Sequence, residues 1–139
     1  MPINPHVFFS NGQCRAAFER YRDIFGGELS ILLTKDAPED QRMPEADPDS
    51  VMHAALNFGD SLIMGADDPT GDGGAMTGVA LNFTAPDAQA AGRVFDALSE
   101  GGEVQMPMSP TFWSAAFGAC VDQFGVPWMV DTSQGPRSQ

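Results

Sequence analysis

A chain of 139 residues with 42% hydrophobic content suits one domain and buries roughly two-thirds of the surface its unfolded form exposes. One lysine and six arginines against 19 acids leave a net charge of −12. Such a field repels phosphate backbones, which argues against a nucleic-acid partner, and it draws cationic ligands or simply keeps a small domain soluble. No apolar run is long enough to cross a bilayer. The segment MPINPHVFFSNG has neither a basic region nor a small-residue cleavage site, so no signal peptide is expected. Cys14 and Cys120 imply neither a disulfide framework nor metal-ligand spacing, and a reduced, cytoplasmic setting is the default.

Ile3–Phe9 reads as a strand closed by the turn Ser10-Asn11-Gly12. Gln13–Phe25 has helical spacing, with Ala17, Phe18, Tyr21, Ile24 and Phe25 on one face and Arg15, Glu19, Arg22 and Asp23 outward. Ser10 or Asn11 is the expected cap, and Gly26-Gly27 the stop. Glu28–Thr34 reads as a strand. Lys35–Ser50, rich in Pro, Asp and Glu, reads as an exposed mobile loop. From Asp36 to Asp72 there are ten acids and a single arginine, Arg42, which suggests a solvated flap with few backbone partners. Val51–Phe58 and Ser61–Ala66, joined by Gly59-Asp60, make a hairpin. Asp67–Met76, with three glycines and a proline, reads as a linker.

The second half repeats the first. Thr77–Phe83 reads as a strand, and Asp87–Ser99 as a helix with Ala91, Val94, Phe95 and Leu98 buried. Gly101-Gly102-Glu103 recurs where the first half has Gly26-Gly27-Glu28, and Glu103–Met108 follows as a strand. Thr111–Val121 and Val126–Val130 form a closing hairpin around Asp122-Gln123-Phe124-Gly125. Pro127 places the start of its last strand on an edge or where no ladder donor is needed. The organisation is one domain, 1–139, with an internal β-α-β-β-β repeat over 1–67 and 77–133 and a tail at 134–139.

Two sets of residues resemble a known family. Asn11-Gly12…Ala17-x-x-x-Tyr21-x-x-x-Phe25-Gly26-Gly27-Glu28 is one. Phe112-Trp113, Phe117-Gly118 and Asp122-x-Phe-Gly-Val-Pro-Trp-Met129 form the other. Both are similar to the PhnB-like branch of the vicinal-oxygen-chelate, or glyoxalase/bleomycin-resistance/dioxygenase, superfamily. The resemblance covers nearly the whole chain. It implies an α+β fold of two βαβββ modules forming a cupped, mostly antiparallel eight-stranded sheet around a ligand or metal cavity, with a homodimer expected.

Alternation indicates what lines that cavity. In Met52–Phe58, Met52, Ala54, Leu56 and Phe58 belong under the helix, leaving His53, Ala55 and Asn57 for the other face. In Val79–Phe83 the helix side takes Val79, Leu81 and Phe83, and Asn82 joins the cavity side. His6 and Phe8 share one face of the first strand. Asparagines buried in a closed fold need partners, either backbone or a ligand.

In metal-dependent relatives four strand positions hold the metal, and by resemblance these fall on His6, Met64, Gly78 and Met129. Only the first is a ligand type for Mg, Mn, Fe, Ni or Zn. No metal and no cofactor are therefore expected. No nucleophile motif, Walker loop or dinucleotide fingerprint is present. Gly71-x-Gly73-Gly74 lacks the flanking strand and helix of a phosphate loop. Cys120 reads as an inert buried thiol, and Cys14 as packing or surface. A methyltransferase label attaches to some PhnB-like proteins, but no S-adenosylmethionine loop is visible here. Eight methionines, among them Met64 and Met129, suit a pocket for an apolar or aromatic small molecule. The expected ligand-binding residues are His6, Phe8, His53, Asn57, Met64, Asn82, Trp113 and Met129. The alternative is a glyoxalase-like lyase, isomerase or dioxygenase, either metal-dependent or with His6 or His53 as base.

Overall fold

The apolar spacing within Gln13–Phe25 produces a helix from Cys14 to Phe25 (α1), with Cys14, Ala17, Phe18 and Tyr21 buried. A computed structural model describes residues 3–10, 12–41, 47–68 and 77–135, and the expected Asn11 cap, most of the linker and the tail beyond Gly135 lie outside them. Gln13 occupies the cap position without a side-chain bond. The capping acceptor comes from elsewhere. Asp67 Oδ1 accepts the Cys14 N–H at 2.9 Å while its Oδ2 accepts the Val51 N–H at 2.9 Å. A carboxylate at a helix N-terminus also complements the helix dipole.

α1 covers one face of a four-stranded sheet made of β1 (His6–Phe9), β2 (Glu28–Leu33), β3 (Val51–Phe58) and β4 (Ser61–Asp67). The strand order is β1-β4-β3-β2, with β1 parallel to β4 and the other pairs antiparallel. Val7, Phe9, Ala54, Leu56 and Ile63 are buried on the helix side, where Phe9 meets Phe18 edge-on at 6.0 Å. The chain divides into two compact units, Met1–Gly74 and Ala75–Gln139. The second has the same plan: β5 (Leu81–Ala85), α2 (Ala88–Ser99), β6 (Glu103–Ser109), β7 (Phe117–Val121) and β8 (Pro127–Thr132), in the order β5-β8-β7-β6 with β5 parallel to β8. Asp87 caps α2 by accepting the Ala90 N–H at 2.8 Å. The fold is α+β, two mixed four-stranded sheets each carrying one helix, with the internal repeat visible in the topology.

The repeated glycine pair has a steric cause. A Cβ on Gly27 would collide with the Asn57 carbonyl oxygen, and one on Gly102 with that of Val121. In both units the chain leaving the helix passes tight against a hairpin strand, a position open only to glycine.

Three expectations need correction and one is narrowed. The strand placed at Thr77–Phe83 runs from Leu81 to Ala85, because its extent is set by parallel pairing with residues 128–132 of β8. Val79 is consequently 61% exposed rather than packed under α2. The strand placed at Thr111–Val121 begins only at Phe117. Thr111 and Ser114 instead close a local turn, Thr111 N–H to the Ser114 carbonyl at 2.9 Å and Ser114 N–H to Thr111 Oγ1 at 3.1 Å, the competition with ladder bonds that such side chains offer. Pro127 opens a central strand opposite Val121, which excludes the edge and leaves the other alternative, a strand start ahead of the pairing with β5 that begins at Trp128. Finally, the ends of the acidic loop are tied down. Thr34–Asp36 and Glu39–Gln41 are 3₁₀ turns, Thr34 and Lys35 donate to the carbonyls of Ser50 and Pro48 at 2.9 Å each, and Lys35 pairs with Asp49 at 3.2 Å. Residues 42–46 of that loop lie outside the described residues.

Candidate functional site

Each sheet has one face under its helix and one open face, and strand register determines which side chains share the latter. On the first sheet His6 of β1 lies beside Met64 of β4, and Met64 lies opposite Ala55 of β3. One row along, Phe8 lies beside Ala66. His6 and Phe8 stand with ring centroids 4.7 Å apart, and His6 reaches His53 of β3 at 6.0 Å. His53 pairs in turn with Leu32 of β2. Asn57 occupies the same face further along β3, opposite Leu62 and Glu28, and is exposed, so it needs no buried partner. His6, Phe8, His53 and Met64 thus form one cluster, and Phe8 is 61% exposed within it. Burial of its ring, and then the charge of His53, hold the His6 imidazole below its ordinary pKa.

On the second sheet the alternation expected for residues 81–83 holds. Asn82 faces away from α2 and pairs with Met129, which lies opposite Ala119, and Met106 lies beyond. The adjacent row runs Thr84, Asp131, Phe117, Ser109. Thr84 Oγ1 donates to Asp131 Oδ1 at 2.7 Å. Trp113 belongs to no strand. It sits in the loop before β7 with its ring 5.5 Å from Phe117 at 70° and 4.8 Å from Phe112 at 82°. Phe117, Asp131, Thr84 and Met106 were not among the expected ligand-binding residues. For Asp131 the signal was available, since it is two residues from Met129 and so shares its face. Phe117 required the true start of β7.

The four positions that hold a metal in metal-dependent relatives can be tested on their chemistry. Met64 and Met129 present thioethers. The expectation for Gly78 needs correction, because it lies before β5, and the residue beside Met129 as His6 is beside Met64 is Asn82, an amide. These residues do not make up the donor set of a hard divalent cation. Among the described residues no three His, Cys, Asp or Glu side chains come together. The thiols offer no nucleophile. Burial and the nearby Asp67 push Cys14 up to about 12, and burial and Asp122 push Cys120 up to about 11. Both are fully buried.

Known proteins share this architecture over its full length. A protein of Pseudomonas aeruginosa, PA1353, is 41% identical, with 96% of this chain and 98% of that one covered at a TM-score of 0.86. Protein YjdN of Escherichia coli (strain K12) is 29% identical over 100% of both chains. At 24% identity, covering 95% of this chain and 99% of the other at a TM-score of 0.75, the Bacillus cereus PhnB protein described as a putative 3-demethylubiquinone-9 3-methyltransferase shares the fold. The model of the Glyoxalase/Bleomycin resistance protein/Dioxygenase superfamily matches residues 4–130. Two βαβββ units with this strand order, and that match over most of the sequence, mean that the chain belongs to the glyoxalase/bleomycin resistance protein/dioxygenase superfamily.

Proposed function

We propose that this protein binds a small apolar or aromatic molecule on the open faces of its sheets, without a resident metal. The observation that carries the reading is the cluster on the first sheet. An exposed phenylalanine and two imidazoles gathered around the thioether position add nothing to the helix-side core, and exposed apolar groups with a few convergent polar ones are what a ligand surface requires. The other residues assigned to this role are Asn57 on the first sheet, and Asn82, Met129 and Trp113 on the second. The protein is proposed to work in the cytoplasm as a homodimer, with neither nucleic acid nor membrane as a partner. Among the described residues no helix is long and apolar enough to cross a membrane.

The reading is tested by mass spectrometry of whatever copurifies, together with metal analysis of protein prepared without chelator. A small organic ligand retained in EDTA supports it. Near-stoichiometric Zn, Ni, Fe or Mn that is lost in His6→Ala overturns it. A second reading, a metal-free lyase or isomerase, is favoured by the placement of His6 with its ring 6.0 Å from a second imidazole, where burial and then the charge of His53 lower its pKa and so favour the neutral form a general base needs. If turnover is found for a bound compound, His6→Gln should abolish it while leaving affinity within a few-fold. The methyltransferase name of the B. cereus protein does not extend to this chain, whose sequence has no glycine-rich nucleotide loop followed by an acidic strand end.

A further inference from the structure

The second sheet's open face carries something an apolar ligand alone does not call for, a carboxylate across from an aromatic ring that itself touches a second. Asp131 lies directly across from Phe117, a cross-strand pairing that brings their Cβ atoms to about 5 Å. The Thr84 hydroxyl holds one carboxylate oxygen at 2.7 Å, which orients the group while using one of about four acceptor sites. Trp113 closes on Phe117 at 70° and Phe112 on Trp113 at 82°, so the three rings form successive near-perpendicular corners. Trp113 is 51% and Phe112 88% exposed, and exposure of this size on bulky rings has no folding purpose.

Asp131 is the charged side chain that the register places in this row. The second unit's described residues include six acids and a single basic residue, Arg93. Arg93 is on α2, the helix packed against the opposite face of the sheet. Aromatic faces attract cations within about 6 Å of the ring centroid, and an adjacent carboxylate adds Coulomb attraction of the same direction. We propose that the Phe112, Trp113, Phe117 and Asp131 corner binds the ammonium group of a small organic cation. The apolar body of that cation lies along Met129 and Met106 in the next row. The proposal rests on the small-molecule reading above and assigns its ligand a charge. The net charge of −12 raises the local concentration of such a ligand and makes its binding weaken with salt.

The test uses the full chain with benzyltrimethylammonium and its uncharged isostere neopentylbenzene, followed by calorimetry and by the two tryptophan indole N–H resonances. Trp128 is buried with its Nε1–H on Asp122, so it serves as the internal reference. The cation should bind at least ten-fold tighter than the isostere and shift Trp113 but not Trp128. Asp131→Asn keeps an acceptor for Thr84 and should cut that preference several-fold, to the part the aromatic rings supply, while an unshifted Trp128 indole resonance shows that the variant is folded. Trp113→Ala should weaken both ligands. Equal affinity for the two compounds in the unsubstituted protein, or an Asp131→Asn variant that keeps the full preference, overturns the cation assignment and leaves the small-molecule reading intact. Failure of both compounds to bind at millimolar concentration overturns the assignment as well, while the copurification experiment decides the broader reading separately.

Discussion

Asp122 is 5% exposed and accepts three N–H groups of the closing hairpin. Its Oδ1 takes Phe124 N–H at 2.9 Å and Val126 N–H at 3.0 Å, and its Oδ2 takes the Trp128 indole N–H at 2.9 Å. Asp122→Ala strands all three donors, two of them buried. A hydrogen bond to a charged group contributes about 1.5–3 kcal/mol and a stranded buried donor costs about 1–3 kcal/mol, and because the three share one acceptor their losses do not add. The expected destabilisation is about 3–4 kcal/mol. With an m-value of about 2 kcal/mol per molar urea, the midpoint falls by roughly 1.5–2 M. Asp122→Asn keeps the oxygen for the two backbone donors but turns an NH₂ toward the indole, two donors face to face, at about half that cost. The assay is equilibrium urea unfolding followed by far-UV circular dichroism and by tryptophan emission, with exposed Gln123→Ala as a control expected within about 0.5 kcal/mol of the parent. A loss below about 1 kcal/mol for Asp122→Ala would refute the view that this carboxylate holds the hairpin together.

Both thiols should resist a disulfide reagent such as DTNB at pH 8 in the native protein and react only on unfolding, since burial keeps Cys14 and Cys120 protonated well above that pH; stoichiometric native labelling would contradict the buried placement. The His6 imidazole should titrate below its usual value near 6.5 when followed by NMR. His53→Ala should raise that pKa without restoring it fully, because burial is the larger cause. The sign for stability follows from the same shift. Below about pH 6.5 the unfolded chain takes the proton first, so this contribution to stability declines as the pH falls toward the folded-state pKa and is constant beneath it. Gly27→Ala, with φ of 94° and a carbonyl oxygen in the way, should prevent stable folding or shift the thermal midpoint by many degrees, whereas Gly12→Ala, with φ of 71° and open space, should cost only about 1 kcal/mol.

The helices, the first hairpin and the facing of β1 and β3 were legible in the residues themselves. Periods of 3.6 and 2 are local properties of the backbone, and Ala17, Phe18 and Tyr21 or Ala54 and Leu56 announce their buried faces without knowledge of what covers them. The duplicated Gly-Gly-Glu was legible as a repeat, although its cause, the pressing of Gly27 and Gly102 against hairpin carbonyls, is a contact between segments distant in sequence. Facing along β5 was readable, yet its limits were not, because a strand ends where its partner does and β5 is bounded by β8. The cap of α1 comes from Asp67, 53 residues away, and no local signal points to it. The same holds for the candidate sites. Which side chains share a face is written in the alternation. Which of them lie side by side, His6 with Met64 or Asp131 with Phe117, depends on register between strands, a property that belongs to a pair of segments and exists only once the chain has folded.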